Sequence, residues 1–118
     1  MSDTTYDFGG GPVPAHRHPN GGGWVADTAH VGPNAYIGPD ARVYDRAWVY
    51  GNALVYGNAQ VYDRAWVSGN AEVSGNARVS DDARVTGNAQ VYDRAWVYGN
   101  AWVYGNARVS GNAQVSGR

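Results

Sequence analysis

Small, branched and polar residues recur with a period of six from Gly23 to Arg118. This segment divides into sixteen hexads without an insertion, and the first position is Ala in fifteen of them. The third position is Val in fifteen hexads and Ile37 in the other. In an extended chain, the first and third positions point to one side and the second and fourth to the other. A helix would turn successive Val residues by about 600° and scatter them around its axis, so the pattern predicts short strands with an Ala and Val interior.

The fifth and sixth positions of the hexads predict a bend every six residues. They are Gly-Asn in eight hexads and Asp-Arg in three, and Gly-Asn adopts backbone conformations that bulkier residues avoid. Three bends of roughly 120° close one coil of 18 residues, and stacked coils pair as parallel strands about 4.8 Å apart. The sequence therefore predicts an all-β fold, a triangular parallel β-solenoid of about five coils.

One stretch of the repeat resembles a known family. VGPNAYIGPDARV (residues 31–43) has the order aliphatic residue, Gly, two variable residues, small residue, variable residue, and it resembles the hexapeptide-repeat family. Later hexads move the Gly one place on, as in VYGNA (residues 49–53), and such arrays are similar to phage and bacterial repeat proteins. GGWV (residues 22–25) is similar to the start of acyltransferase-like hexapeptide proteins. The resemblance implies a left-handed parallel β-helix, but its motif is architectural and specifies no activity.

Residues 1–22 lie outside the repeat, which makes residues 23–118 the solenoid domain. The segment is rich in Gly and Pro, so we expect irregular structure that serves as a cap on the first coil or as a tether. As a cap, it would place Phe8, Val13 and Pro14 over the first layer of the core, formed by Val25, Val31 and Ile37.

His16 and His18 have the one metal-like spacing in the chain. In an extended segment both imidazoles would face the same side, and iron or zinc could bind them in a threefold assembly. Two His residues without a nearby carboxylate more often serve as polar groups of a cap, so the metal hypothesis is the weaker one.

Residues 18 apart stack, so the outer columns of the prism follow from the sequence. The face that we call the second face has the most Trp and no acidic residue, and Arg84 is expected between Trp66 and Trp102 in a cation–π stack. Its aromatic ladder could stabilise the strands, form a subunit interface or bind sugar rings. The candidate interface or binding residues are Trp48, Trp66, Arg84, Trp102, Tyr50 and Tyr104.

Two corner columns also follow from the spacing. The sixth-position Asn residues are expected to hydrogen-bond from coil to coil; one such column is Asn34, Asn52, Asn70, Asn88 and Asn106. Asp45-Arg46 stacks on Asp63-Arg64, which predicts diagonal ion pairs of little energetic weight.

Composition and charge exclude several classes of function. The chain has nine Arg, no Lys, nine Asp and one Glu, for a net charge of -1, which argues against a nucleic-acid interface or a polybasic membrane anchor. It has no Cys, so disulfides and thiol chemistry are excluded. Neither a signal peptide nor a membrane span is apparent, and we expect a virion or cytoplasmic location.

The sequence predicts that the protein is not an enzyme and needs no cofactor. The repeat has no loop insertion, and we find no paired acid and base, no Ser-His-Asp set and no phosphate-binding loop tied to a Lys. We expect a structural or attachment protein that assembles as a homotrimer through its faces, as a phage virion decoration or tail component with a virion or cell-surface partner. A carbohydrate-binding surface module is the alternative, and a degenerate acyltransferase is the third possibility.

Overall fold

The computed structural model describes residues 4–117, and these contain eighteen β-strands and no helix. From β3 onward a strand starts every six residues, and most strands are two residues long. The strands are β1 Thr5–Asp7, β2 Pro12–Arg17, β3 Trp24–Ala26, β4 His30–Val31, β5 Tyr36–Ile37, β6 Arg42–Val43, β7 Trp48–Val49, β8 Leu54–Val55, β9 Gln60–Val61, β10 Trp66–Val67, β11 Glu72–Val73, β12 Arg78–Val79, β13 Arg84–Val85, β14 Gln90–Val91, β15 Trp96–Gly99, β16 Trp102–Val103, β17 Arg108–Val109 and β18 Gln114–Gly117.

The strands form three sheets, which are the three faces of a prism. The first face has the order β1-β2-β3-β6-β9-β12-β15-β18, the second β16-β13-β10-β7-β4 and the third β17-β14-β11-β8-β5. Within the solenoid, residues 18 apart pair in parallel, as Trp66 does with Trp48 and Arg84. The predicted parallel β-solenoid of about five 18-residue coils is confirmed.

The interior consists of the first and third positions of the hexads, as the alternation predicts. Ala and Val at these positions are fully buried from Ala41 to Val97. Because successive coils are in register, Val49, Val67 and Val85 stand above one another in one continuous column. Each layer repeats the same small side chains, so the core is a stack of equivalent layers rather than a single cluster of large residues.

The corners depend on the left-handed backbone conformation at the fifth position of the hexad. Gly57 has φ +66°, and a Cβ there would lie 2.9 Å from Gly75 N. Four hexads place Asp at this position with φ between 58° and 61°: Asp45, Asp63, Asp81 and Asp93. Asp tolerates this region better than most residues because its short polar side chain can hydrogen-bond locally.

Amide ladders connect successive coils at two corners. Asn70 Nδ2 donates to Asn88 Oδ1 at 3.3 Å, and Asn88 Nδ2 donates to Asn106 Oδ1 at 3.4 Å. A second ladder joins Asn58 to Asn76. The predicted coil-to-coil Asn bonds therefore form over part of the expected column.

The N-terminal segment is more regular than the sequence predicts. β1 and β2 form an antiparallel hairpin, and β2 pairs antiparallel with β3, with His16 opposite Val25. The expectation of irregular structure is wrong for these strands, because the exposed backbone edge of β3 offers hydrogen-bond partners that outweigh the local effect of Gly and Pro. The hairpin thus extends the first face beyond the first coil.

Aromatic rings attach the hairpin to the outside of the prism and not to the core layer. The ring of Tyr6 stacks on Trp24 with centroids 4.7 Å apart, and Phe8 stacks on Tyr44 at 4.7 Å. Val13 and Pro14 are exposed, so the predicted placement of Phe8, Val13 and Pro14 over the core is wrong. Tyr6 in β1 and Phe8 just after it also contact each other, with ring centroids 4.8 Å apart, so both rings belong to the outer aromatic column.

Residues 18–23 run along the edge of the third face. Ile37 N donates to Asn20 O, and Gly23 N donates to Ile37 O. The approach is so close that a Cβ on Gly21 would lie 2.1 Å from the Ile37 carbonyl oxygen. The N-terminal segment therefore covers the outer edges of β3 and β5, while β4 ends the second face.

Candidate functional site

The second face carries the aromatic ladder that the sequence predicts. Its parallel strands place His30, Trp48, Trp66, Arg84 and Trp102 in one column, one residue per coil. These side chains occupy the second position of each hexad, which points outward because the Ala and Val on either side point inward. The exposed fraction is 39% for Trp48, 41% for Trp66 and 57% for Trp102.

The ladder is a continuous series of ring contacts. His30 and Trp48 have centroids 4.7 Å apart, and Trp48 and Trp66 have centroids 5.7 Å apart with 33° between their planes. The Arg84 guanidinium lies 5.7 Å from the Trp66 centroid and 5.9 Å from that of Trp102, as the sequence predicts. Trp48 and Trp66 therefore each have a ladder residue on both sides along the column.

Two tyrosines widen the ladder on one side. Tyr50 packs against Trp48 with centroids 5.3 Å apart, and Tyr104 packs against Trp102 at 5.2 Å. Tyr104 is 62% exposed. Tyr50 fits because its ring lies where Gly32 has no side chain; a Cβ on Gly32 would lie 2.9 Å from the ring. All six predicted interface residues thus lie on one surface, although Trp102 and Tyr104 are far more exposed than Tyr50.

A groove of about 700 Å³ follows the corner beside the ladder. It is lined by the ladder and by sixth-position residues of the first-face hexads, among them Arg46, Arg64 and Asp82. Arg64 Nε lies 3.6 Å from Asp82 Oδ1, and both side chains are largely exposed. The sequence prediction missed this pair, since Asp82 replaces the Arg of the Asp-Arg hexads in only one coil.

The corner aspartates bind backbone instead of forming the predicted diagonal ion pairs. Asp45 Oδ2 accepts from Asp63 N at 3.3 Å, and Asp63 Oδ2 accepts from Asp81 N at 3.1 Å. The prediction overlooked the left-handed turn, which directs each carboxylate along the stack toward the next coil. Burial raises the pKa of Asp63, and its backbone hydrogen bond with Asp81 opposes that effect.

His16 and His18 have different partners within the chain. His16 Nδ1 lies 2.7 Å from Asp27 Oδ1, whereas His18 is 5% exposed and its Nε2 donates to the Ala35 carbonyl at 2.8 Å. Residues 4–117 contain no group of three or more His, Cys, Asp or Glu that could hold a metal ion. The sequence analysis missed the carboxylate beside His16, because Asp27 reaches it only through the antiparallel pairing of β2 with β3.

A second groove, of about 550 Å³, lies between the hairpin loop and the first face. Its lining includes Gly9–Gly11, Tyr44 and Tyr62. Tyr44 stacks on Tyr62 with centroids 5.0 Å apart and 4° between planes, and its hydroxyl donates to Gln60 Oε1. Burial, with a smaller contribution from Tyr62, raises the pKa of Tyr44 to about 12.

Within residues 4–117, no helix has the length and apolarity that a membrane crossing requires.

Comparison with known families locates a repeat in most of the chain. The family model for the YdcK beta-solenoid repeat matches seven overlapping segments, residues 41–57, 47–63, 59–75, 71–87, 77–93, 89–104 and 101–117. Together these segments cover residues 41–117, about two thirds of the 118-residue chain. The comparisons with curated proteins and with solved structures gave no match.

Proposed function

Since this chain belongs to the YdcK beta-solenoid repeat family, we propose that it is a non-catalytic structural or attachment module that assembles through its second face. The observation that supports this proposal is the exposed ladder of Trp48, Trp66, Arg84 and Trp102. Contiguous exposed apolar surface on a small protein marks an interaction site more often than it remains in water. Trp, Tyr and Arg are also the residue types enriched at protein interfaces.

The arrangement of the rings favours a protein surface over a sugar. A sugar ring stacks on an aromatic face, and the ladder residues on both sides of Trp48 and Trp66 restrict access to the faces of these rings. The exposed parts of the ladder form a strip that a second flat sheet could cover. Binding of a polysaccharide in an affinity gel would support the carbohydrate alternative.

The proposed setting comes from the sequence resemblance. Phage and bacterial VYGNA-type arrays resemble this repeat, so a virion decoration or tail component with a virion or cell-surface partner is the role that we propose. The left-handed coil and the relationship to the hexapeptide-repeat, acyltransferase-like superfamily are parts of the same proposal. A virion location would follow from the role, and a cytoplasmic one is the alternative.

The His16–Asp27 pair is the feature that an enzyme hypothesis would use. A carboxylate that orients a His ring is a common part of acid–base sites, but both side chains are partly exposed where β2 pairs with the end of β3. An acyltransferase of this architecture would also need to bind its acyl donor. Calorimetry with acetyl-coenzyme A tests this directly: heat of binding would support the degenerate acyltransferase and count against a purely structural role.

Two arginines in the ladder test the proposed assembly. We expect the wild-type chain to self-associate and the Trp66→Arg/Trp102→Arg double variant to be monomeric. The two substitutions add six positive charges to the interface of a trimer, or four to that of a dimer, and the second face has no acidic residue to pair with them. Tyr56→Arg, on the exposed part of the third face, is the matched control. Light scattering should give three times the 12.6 kDa chain mass for the homotrimer predicted from the sequence, or twice that mass for a pair. A monomeric wild type would refute the proposal.

A further inference from the structure

The second face and its corner carry a pattern of charge and size that reverses along the prism axis. The corner column beside the ladder is formed by the sixth residues of the first-face hexads: Thr28, Arg46, Arg64, Asp82 and Asn100. Arg46 and Asp82 stand one coil to either side of Arg64. A rotation of 180° about an axis that is perpendicular to the prism at the level of Arg64 therefore exchanges the positions of Arg46 and Asp82.

We propose that the second face binds a second copy of this chain, with the two prisms antiparallel and a twofold axis at the level of Trp66. This inference rests on the proposed assembly through the second face and specifies its geometry. A twofold axis in the plane between two faces, perpendicular to the prism, keeps each column opposite itself and reverses the order of its coils. Trp66 then lies opposite Trp66 of the second copy.

Charge complementarity supports this arrangement. Reversal about the Arg64 level places Arg46 opposite Asp82 of the second copy, and symmetry forms the same pair twice. Arg64 meets its own counterpart at the axis, but each is already close to the Asp82 carboxylate of its own chain at 3.6 Å. The Asp45, Asp63 and Asp81 carboxylates each accept a backbone N–H group of the next coil. Within residues 4–117, the carboxylate of Asp82 points to no backbone group, so Asp82 is the corner acid that can meet Arg46.

The ladder column is complementary under the same operation. Arg84 faces Trp48 of the second copy, which suits a cation–π contact, and the exposed Trp102 faces His30. In the adjacent fourth-position column, reversal about Ser68 places Tyr50 of one copy opposite Thr86 of the other, so a large side chain meets a smaller one there.

A parallel assembly, including a threefold one, lacks these partners. Residues of equal number then lie at equal height, so Arg46 of every copy lies at one level and Asp82 of every copy at another. Arg46 and Asp82 differ by 36 residues, which is two coils or about 10 Å along the axis. The charge pattern therefore favours the antiparallel pair over the trimer predicted from the sequence.

Reciprocal charge reversal tests the register. Arg46→Asp and Asp82→Arg should each weaken self-association about tenfold or more in Kd, because each places like charges opposite one another. Mixing the two single variants should restore association, since Asp at position 46 of one chain then meets Arg at position 82 of the other, and the native pair forms at the second contact. Arg94→Asp, at another corner, changes the net charge as Arg46→Asp does and should leave self-association unchanged.

Sedimentation velocity over a concentration series is suited to this test, because a face five strands tall is small for an interface and is expected to bind weakly. Circular dichroism verifies that every variant is folded. Restored association of the mixture, with twice the chain mass, supports the antiparallel pair. A wild type that self-associates while the mixture remains as weak as the single variants overturns this register and leaves the proposed assembly intact. A wild type that is monomeric throughout overturns both.

Discussion

Replacing Val67 with Ala tests the layered core at its centre. Val67 is fully buried and pairs in register with Val49 below and Val85 above. The substitution removes two methyl groups and leaves a gap between two layers. Because the neighbouring backbones are fixed by coil-to-coil hydrogen bonds, such as Trp48 N to Ala65 O and Trp66 N to Ala83 O, the gap has little freedom to close.

The expected cost follows from the lost burial and the gap. Two methyl groups at about 0.8 kcal/mol each give about 1.6 kcal/mol of transfer free energy. An incompletely closed cavity raises the total to about 2–3 kcal/mol. Val67→Asp would bury an unpaired carboxylate, and we expect the free-energy cost of that burial to exceed the whole stability of a domain this small.

Urea denaturation followed by circular dichroism measures these costs, and Val13→Ala is the matched control. Val13 is exposed on the hairpin, so its truncation should change the free energy of unfolding by less than about 0.5 kcal/mol. Equal effects of Val67→Ala and Val13→Ala would refute the assigned interior. A folded, soluble Val67→Asp protein would refute it more strongly.

Three further predictions concern the hairpin and the corners. Deleting residues 1–22 exposes the edge of β3, so we expect aggregation or a lower melting temperature; unchanged stability would mean that the segment is a tether. Asp63→Asn keeps the acceptor for Asp81 N but removes a carboxylate whose raised pKa makes ionisation costly, so it should be at least as stable as wild type at neutral pH, with the gain lost in acid. Asp63→Ala lacks the acceptor and keeps a Cβ at the positive φ, so in urea it should be at least about 1 kcal/mol less stable than Asp63→Asn. The pKa of Tyr44 is about 12 in the folded chain and lower when unfolded, so stability should fall as pH rises from 10 toward 12, and Tyr44→Phe should reduce that fall in melts at each pH.

The repeat made the solenoid predictable in detail. Because every hexad has six residues, the spacing alone placed Trp48, Trp66 and Arg84 in one column, and the alternation placed Val67 inside. Such a fold repeats one local rule, so an inference that holds for one coil holds for the next. The exposed second face followed from the same arithmetic.

The non-repeating features could not be obtained in this way. The stacking of Tyr6 on Trp24 and the pairing of His16 with Asp27 depend on how the hairpin folds back, which no period encodes. The role of Asp63 was missed for a different reason: its carboxylate direction is set by a positive φ, and the sequence pair Asp-Arg suggested an ion pair first.

The mass of the wild-type chain in solution tests the central claim most directly. Sedimentation equilibrium at increasing protein concentration should show a rise from the 12.6 kDa chain mass toward twice that value, with the rise lost in Trp66→Arg/Trp102→Arg. A mass that stays at 12.6 kDa at every concentration would contradict assembly through the second face.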